Sequence, residues 1–192
     1  MARHTADTFE ALTIEGALIA PAMLAKIANQ QAEAQKEADY GIPKGLTLRD
    51  EIARYFRIGQ AIYADYTKTQ TQSAIVTIKL TEALLRDVFG FSDLTRQGKR
   101  VLNGREYAVT LEGLGGRVPV VVVPASDDLD RATNNLPGDG RRRSAASAIQ
   151  DWLNANENTL WGFCCNGERL RLVRDNASLT RPAYIEADLR QI

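Results

Sequence analysis

The run Leu160-Trp161-Gly162-Phe163-Cys164-Cys165-Asn166-Gly167-Glu168-Arg169-Leu170-Arg171-Leu172-Val173-Arg174 decides the fold class. Leu160 to Cys165 is an uninterrupted apolar stretch of strand length. Asn166-Gly167 is a two-residue hairpin signal, and Leu170 to Arg174 returns with basic and apolar residues alternating at a period of two. A buried strand, a tight turn and a second strand follow. Cys164 and Cys165, as neighbours on a strand, place one thiol on each face of a sheet and read as core residues.

Upstream the same period continues. Val118-Pro119-Val120-Val121-Val122-Val123 is apolar on both faces and is expected to be a central, covered strand. Lys99 to Leu102 and Arg105 to Leu111 read as two more strands. They are joined by Asn103-Gly104, and Gly113 to Gly116 connects onward to the valine run. A polar stretch from Asp127 to Gly140 leads into a helix over Arg141 to Asn154, with Ala145, Ala148, Ile149, Trp152 and Leu153 inward. Tyr184 to Leu189 adds an edge strand. The expected order is helix, three-strand meander, helix, strand, hairpin, which is an α/β class with a mixed sheet.

The period changes near residue 92. Before it the pattern is helical. Pro21 opens a helix running to about Lys36 with Met23, Leu24 and Ile27 apolar. Its tail from Asn29 to Asp39 is helix-prone but offers little to pack. Gly41 to Gly45 is a break. Thr47 caps a second helix with Asp50 and Glu51 in its first turn, and Ile52, Tyr55, Phe56, Ile62, Tyr63 and Tyr66 recur at three and four. A third spans Ser73 to Phe89, with Ile75, Ile78, Leu84, Leu85 and Val88 inward, and Gly90 stops it. The reading is a helical region over 1–92 and an α/β domain over 93–192, with one continuous domain as the alternative.

Composition narrows the function. The 192 residues carry 24 Lys+Arg against 24 Asp+Glu, so a polybasic nucleic-acid coat is excluded while a local basic patch is not. His4 is the single histidine, which leaves no Ser-His-Asp or Cys-His triad and too few ligands for a His/Cys zinc site. No stretch approaches the roughly 20 apolar residues of a membrane span. Two adjacent cysteines make no disulfide framework, so a cytoplasmic location is expected.

Helix, three strands, helix, strand is also the core order of the restriction-endonuclease-like nucleases. The Trp161-Gly162 to Arg174 hairpin, with its continuation Ser178-Leu179-Thr180-Arg181-Pro182-Ala183-Tyr184-Ile185-Glu186-Ala187-Asp188-Leu189, resembles the N-terminal region of bacterial type IIG-like restriction–modification and phage-defence adenine methylases. The resemblance covers roughly residues 75 to 192, most closely the last fifty. It implies a restriction-endonuclease-like fold, DNA as a partner, and a methyltransferase domain further along a longer chain. The ending at Asp188-Leu189-Arg190-Gln191-Ile192 fits a piece of such a chain. On the resemblance, Arg141, Arg142, Arg143, Gln150, Arg169 and Arg171 are the expected DNA contacts; arginines reach phosphates bidentately.

The sequence departs from working nucleases of that fold. They carry an Asp on the second strand and a Glu/Asp-x-Lys on the third, which hold Mg²⁺ and polarise water. Here the third strand holds only valines, and no lysine follows Lys99. The Asn-Pro-Pro-Tyr-type loop and the Gly-rich cofactor loop of the methylases are absent too; Leu114-Gly115-Gly116 is a strand connection. The expectation is therefore an accessory DNA-engaging domain, not catalytic as it stands and with no cofactor of its own. A rival reading is an active Mg²⁺-dependent endonuclease using a displaced acid cluster of Glu106, Asp127, Asp128 and Asp130. A third is a non-catalytic protein-interaction scaffold.

Overall fold

The computed structural model describes residues 9–137, 141–175 and 183–192. In chain order the elements are β1 (Leu12–Glu15), α1 (Pro21–Ala28), α2 (Leu48–Thr67), α3 (Ala74–Ala83), β2 (Thr95–Arg96), β3 (Arg100–Leu102), β4 (Arg105–Tyr107), β5 (Leu111–Gly113), β6 (Val118–Val122), α4 (Ala145–Ala155), β7 (Trp161–Cys165), β8 (Arg169–Arg174) and β9 (Ala183–Asp188). One π-helical turn, Leu84–Val88, prolongs α3, and short 3₁₀ turns occupy Glu37–Tyr40 and Leu189–Gln191.

Seven strands form one mixed sheet in the order β1-β9-β8-β7-β6-β5-β2. All neighbouring pairs are antiparallel except β6 and β7, which run parallel because the chain crosses over through α4 between them. The valine strand is central and wholly buried, as its two-sided apolar pattern predicts. Pairing of Val121 with Cys164 and Val122 with Cys165 separates the two thiols. Cys165 joins Tyr66, Leu80, Leu84, Leu85, Val120, Val122 and Phe163 in the core beneath α2 and α3. Cys164 joins Val121, Val123, Ala145, Ala148, Ile149 and Leu153 under α4. Every residue expected to face inward on α4 does so. Its start is a capping box: Ser144 Oγ accepts from Ser147 N–H at 3.0 Å, and Ser147 Oγ accepts from Ser144 N–H at 3.0 Å. Thr47 caps α2 in the same way, bonded reciprocally with Asp50.

Several expectations are corrected. The first 92 residues are not purely helical: β1 pairs with β9, so β1 is the edge and β9, expected at the edge, is interior. The helix expected to run to Lys36 ends at Ala28. A Schellman turn closes it, with Gln30 in the left-handed region at φ 56° and Gln31 N–H reaching the Lys26 carbonyl. Gln35 then accepts from Ala32 N–H and donates to the Ile27 carbonyl, so side-chain bonds replace the next helical turn. The helix expected from Arg141 begins at Ala145, and Arg141 to Arg143 lead into it in non-helical backbone.

The three-strand meander is drawn differently too. The strand expected over Arg105 to Leu111 breaks at Ala108 to Thr110. There Val122 N–H bonds the Thr110 hydroxyl in place of a carbonyl, at 2.9 Å. β3 and β4 consequently form a separate two-stranded ribbon, and the short β2 takes the outer place beside β5. The ribbon turns at Asn103-Gly104 as expected, with both residues at positive φ. Tyr107 anchors it edge-on against Trp152, ring centroids 5.3 Å apart. Ile75 points to solvent, and so do Ile52, Tyr55 and Phe56 on the first half of α2.

Candidate functional site at one end of the sheet

β6 and β7 run parallel, so their C-terminal ends open at the same end of the sheet. Clefts at such ends are recurrent binding places because the following loops diverge. Here the loop after β6 and the turn after β7 enclose a cleft of about 230 Å³ whose walls include Asp127, Asp128, Asp130, Asn166, Arg169 and Arg171. The start of α4 is tied to the same place: Ala146 N–H donates to the Leu129 carbonyl at 2.9 Å, and Thr133 bridges Arg143.

Asn166 holds the two walls together. Its side-chain N–H donates to the Asp127 carbonyl at 2.9 Å, while its side-chain oxygen accepts from Glu168 and Arg169 N–H at 3.1 and 2.9 Å. The sequence marks Asn166 as a turn residue only; its reach of 39 positions to the Asp127 loop is visible in three dimensions alone.

Arg171 sits beneath the loop, buried, where an alternating strand would otherwise place an apolar side chain. Three neighbours make that tolerable. Asp130 accepts from both terminal nitrogens at 2.7 and 2.9 Å, Glu186 accepts from Nε at 2.8 Å, and the guanidinium lies 4.1 Å from the centre of the Tyr184 ring. Glu186 is itself buried and also pairs with Arg169 at 3.0 Å. Burial works to lower the basicity of Arg171, but the hydrogen bonds from Asp130 and the charge of Glu186 override it, so the group stays charged. The Arg171 hydrogen bond holds the Asp130 carboxyl below the ordinary range.

The remaining expected site residues are placed as follows. Burial pushes the Asp127 carboxyl upward, but hydrogen bonds from Thr133, Asn135 and Ser126 outweigh it and leave it lowered. Asp128 accepts from Asp130 N–H at 2.8 Å, a local turn. Arg141 and Arg142 are exposed; Arg142 donates to the Ala132 carbonyl at 3.3 Å. Arg143 is half-buried and pairs with Asp151 at 3.1 Å. Two residues lie elsewhere. Gln150 bonds Asn154 along α4 at 2.7 Å, and Glu106 is on the β3–β4 ribbon, paired with Lys99 at 2.5 Å.

This geometry does not suit a magnesium centre. Asp130 is occupied by Arg171, Asp127 by Thr133 and Asn135, and Glu106 belongs to another element. Among the described residues no three His, Cys, Asp or Glu side chains are grouped to hold a metal ion. Carboxyls held below their usual range are also weak proton acceptors, so Asp127 and Asp130 are poorly suited as general bases. What the site offers is charge pairing and hydrogen bonding.

The hairpin motif has a structural account at each of its fixed positions. A Cβ on Gly162 would meet Ile149 of α4 at 2.7 Å, and one on Gly167, at φ +88°, would meet the Tyr66 hydroxyl of α2 at 2.0 Å. Trp161 lies 5.5 Å from the Arg174 guanidinium. The expected continuation over Ser178 to Pro182 falls outside the described residues. No described helix is long and apolar enough to cross a membrane. Compared with models of known protein families, with curated proteins and with solved structures, the chain matches none.

Proposed function

We propose that this chain is a non-catalytic, DNA-engaging accessory domain of a bacterial restriction–modification or phage-defence methylase, built on a restriction-endonuclease-like sheet without the metal-binding acids. The observation that carries the reading is β6. It lies between antiparallel β5 and parallel β7, reached through α4, which is where a nuclease of that fold carries its acid and lysine, and here every ionisable side chain is missing. Support for DNA contact comes from Arg141 and Arg142, exposed at the entrance to α4, with the partly exposed Arg169 at the same end of the sheet.

The charge at that end is balanced. Arg141, Arg142, Arg143, Arg169 and Arg171 stand against Asp127, Asp128, Asp130, Glu168 and Glu186. Attraction to a duplex is therefore short-ranged and weak, in the non-specific range of roughly 10⁻⁴ to 10⁻⁶ M. Arg171 and Arg143 are committed to carboxylates, so Arg141 and Arg142 are the pair to test.

The test is fluorescence anisotropy with labelled duplex DNA at low and physiological salt, with and without Mg²⁺, followed by a gel. Salt-sensitive binding of intact DNA is expected. Replacing Arg141 and Arg142 with alanine should weaken binding equally for all sequences and reduce the salt slope by about two, one per phosphate contact. Absence of binding at low salt overturns DNA engagement. Mg²⁺-dependent cleavage overturns the non-catalytic part.

A further inference from the structure

α2 is twenty residues long and carries one apolar stripe along its length: Leu48, Ile52, Tyr55, Phe56, Gly59, Ile62, Tyr63 and Tyr66. The second half of that stripe is used. Gly59 packs on Val88, and Ile62, Tyr63 and Tyr66 belong to the core beneath the sheet. The first half overhangs. Every residue from 52 to 57 is exposed, with Ile52 at 52%, Tyr55 at 37% and Phe56 at 51% of full exposure. Three large apolar side chains on one face of a well-capped helix, in line with a face already buried, mark a surface that something covers.

We infer that a second copy of the chain covers it, the two α2 helices pairing antiparallel across a two-fold axis near Ile52 to Phe56. The charges select this occupant. The turn before the apolar group carries Asp50 and Glu51, and the turns within and after it carry Arg54 and Arg57. Antiparallel pairing that sets Ile52 against Tyr55 of the second copy brings Asp50 opposite Arg57 of that copy. A shift of one position, with Ile52 against Phe56, brings Glu51 opposite Arg57 instead. Parallel pairing would oppose like to like, and a strongly basic or acidic partner would meet both signs. A formal net charge of zero leaves no long-range repulsion between copies.

The overhanging segment, Leu48 to Ile58, spans about 15 Å at 1.5 Å per residue. A single helix pair of that length buries well below the roughly 800 Å² per partner of a standard stable interface. The dimer therefore dissociates on dilution, at protein concentrations on the order of 10 to 100 μM. This inference does not depend on the DNA reading.

Sedimentation velocity on the full chain over that concentration range tests it. The weight-average mass should rise from 21.2 kDa towards twice that value. Ile52→Glu and Phe56→Glu, each at an exposed position, should hold the mass at that of the monomer while leaving the helical circular dichroism and the urea midpoint unchanged. Arg57→Glu should weaken the dimer at least threefold, and Glu51→Arg combined with Arg57→Glu should recover part of the loss. A wild-type chain that stays monomeric to the highest concentration overturns the inference and assigns the face to a different protein. A dimer that survives both glutamate substitutions overturns it as well, by placing the interface elsewhere.

Discussion

Gly167→Ala isolates the closest approach in the molecule. The residue sits at φ +88°, in the turn between β7 and β8, and an added Cβ would lie 2.0 Å from the Tyr66 hydroxyl oxygen and 2.7 Å from its ring carbon Cζ. Two costs combine. The left-handed backbone costs an L-residue about 1 kcal/mol. Forcing Tyr66 aside adds the penalty of overpacking, about 1–3 kcal/mol, because Tyr66 is buried among Leu80, Leu84 and Phe163 and its hydroxyl lies 3.3 Å from that of Thr77. The total is about 2–4 kcal/mol. Gly104→Ala supplies the reference: its φ is +75° and nothing lies within 4 Å of the added carbon, so it bears the backbone cost alone, about 1 kcal/mol. Urea unfolding followed by circular dichroism measures both, with a constant slope showing that the unfolding unit is unchanged. A second substitution, Tyr66→Leu, should be less costly in the Gly167→Ala background than in the wild type, because the obstructing ring is already gone. If the two alanine variants differ by less than about 0.5 kcal/mol, or the Tyr66→Leu effect is the same in both backgrounds, the close packing of α2 on the hairpin turn is refuted.

Three further outcomes follow from the same packing. Gly162→Ala should destabilise by about 1–3 kcal/mol through the 2.7 Å approach to Ile149, and Ile149→Val should recover part of that in the double variant, read by the same unfolding midpoint. Arg171→Met should cost about 3–5 kcal/mol because it strands the buried Glu186, whereas Asp130→Asn should cost clearly less, since Asp130 is largely exposed and Glu186 still balances the arginine. The Asp130 carboxyl is lowered by Arg171, so its contribution is present above the ordinary aspartate range and is lost as pH falls through the folded value; Asp130→Asn should remove that part of the acid sensitivity. Glu112 behaves oppositely. Its carboxyl is buried and raised by burial against the pull of Arg100, whose Nε lies 3.1 Å away without an aligned hydrogen bond. The charged form is therefore a burden at neutral pH that is relieved as pH falls through the raised value towards the ordinary glutamate range. Glu112→Gln should match or exceed the wild-type stability at pH 7 and lose that gain on acidification, in unfolding midpoints measured from pH 4 to 8.

The elements legible in the sequence are those whose signal is local. The inward face of α4, the two Asn-Gly turns, the Thr47 cap and the split between Cys164 and Cys165 each follow from spacing within one segment. What was not legible depends on distant partners. The four residues of β1 become a strand only because β9 offers an edge, and β2 has two residues with no pattern of their own. Asn29 to Lys36 reads as helix by composition, yet Gln35 satisfies the end of α1 through its side chain and the helix stops. The exposure of Ile52, Tyr55 and Phe56 is likewise hidden: their spacing matches that of the buried half of the same helix, and only the extent of the core decides which half is covered. In the candidate site, alternation correctly placed Arg169 and Arg171 on one face of β8, but the carboxylates that occupy that face come from residues 130 and 186. A pattern of arginines on a strand specifies direction; whether they face a ligand or a carboxylate is set by the rest of the chain.

That distinction bears on what the hairpin motif means. Gly162 exists to admit α4, Gly167 to admit Tyr66 of α2, and Asn166 to bind the loop after β6 to the turn after β7. Each of these residues locks a different layer onto the same hairpin, and none of them presents a reactive group to solvent. A resemblance carried by such positions reports a way of assembling the layers, which many activities can share. The chemistry at the open end of the sheet rests on other side chains, chiefly those between residues 127 and 143 together with Arg169, and these pair with one another as acids and bases in equal number. The DNA reading therefore stands or falls on Arg141 and Arg142, the two of those arginines that are exposed and for which the fold shows no paired carboxylate of the kind that holds Arg143 and Arg171.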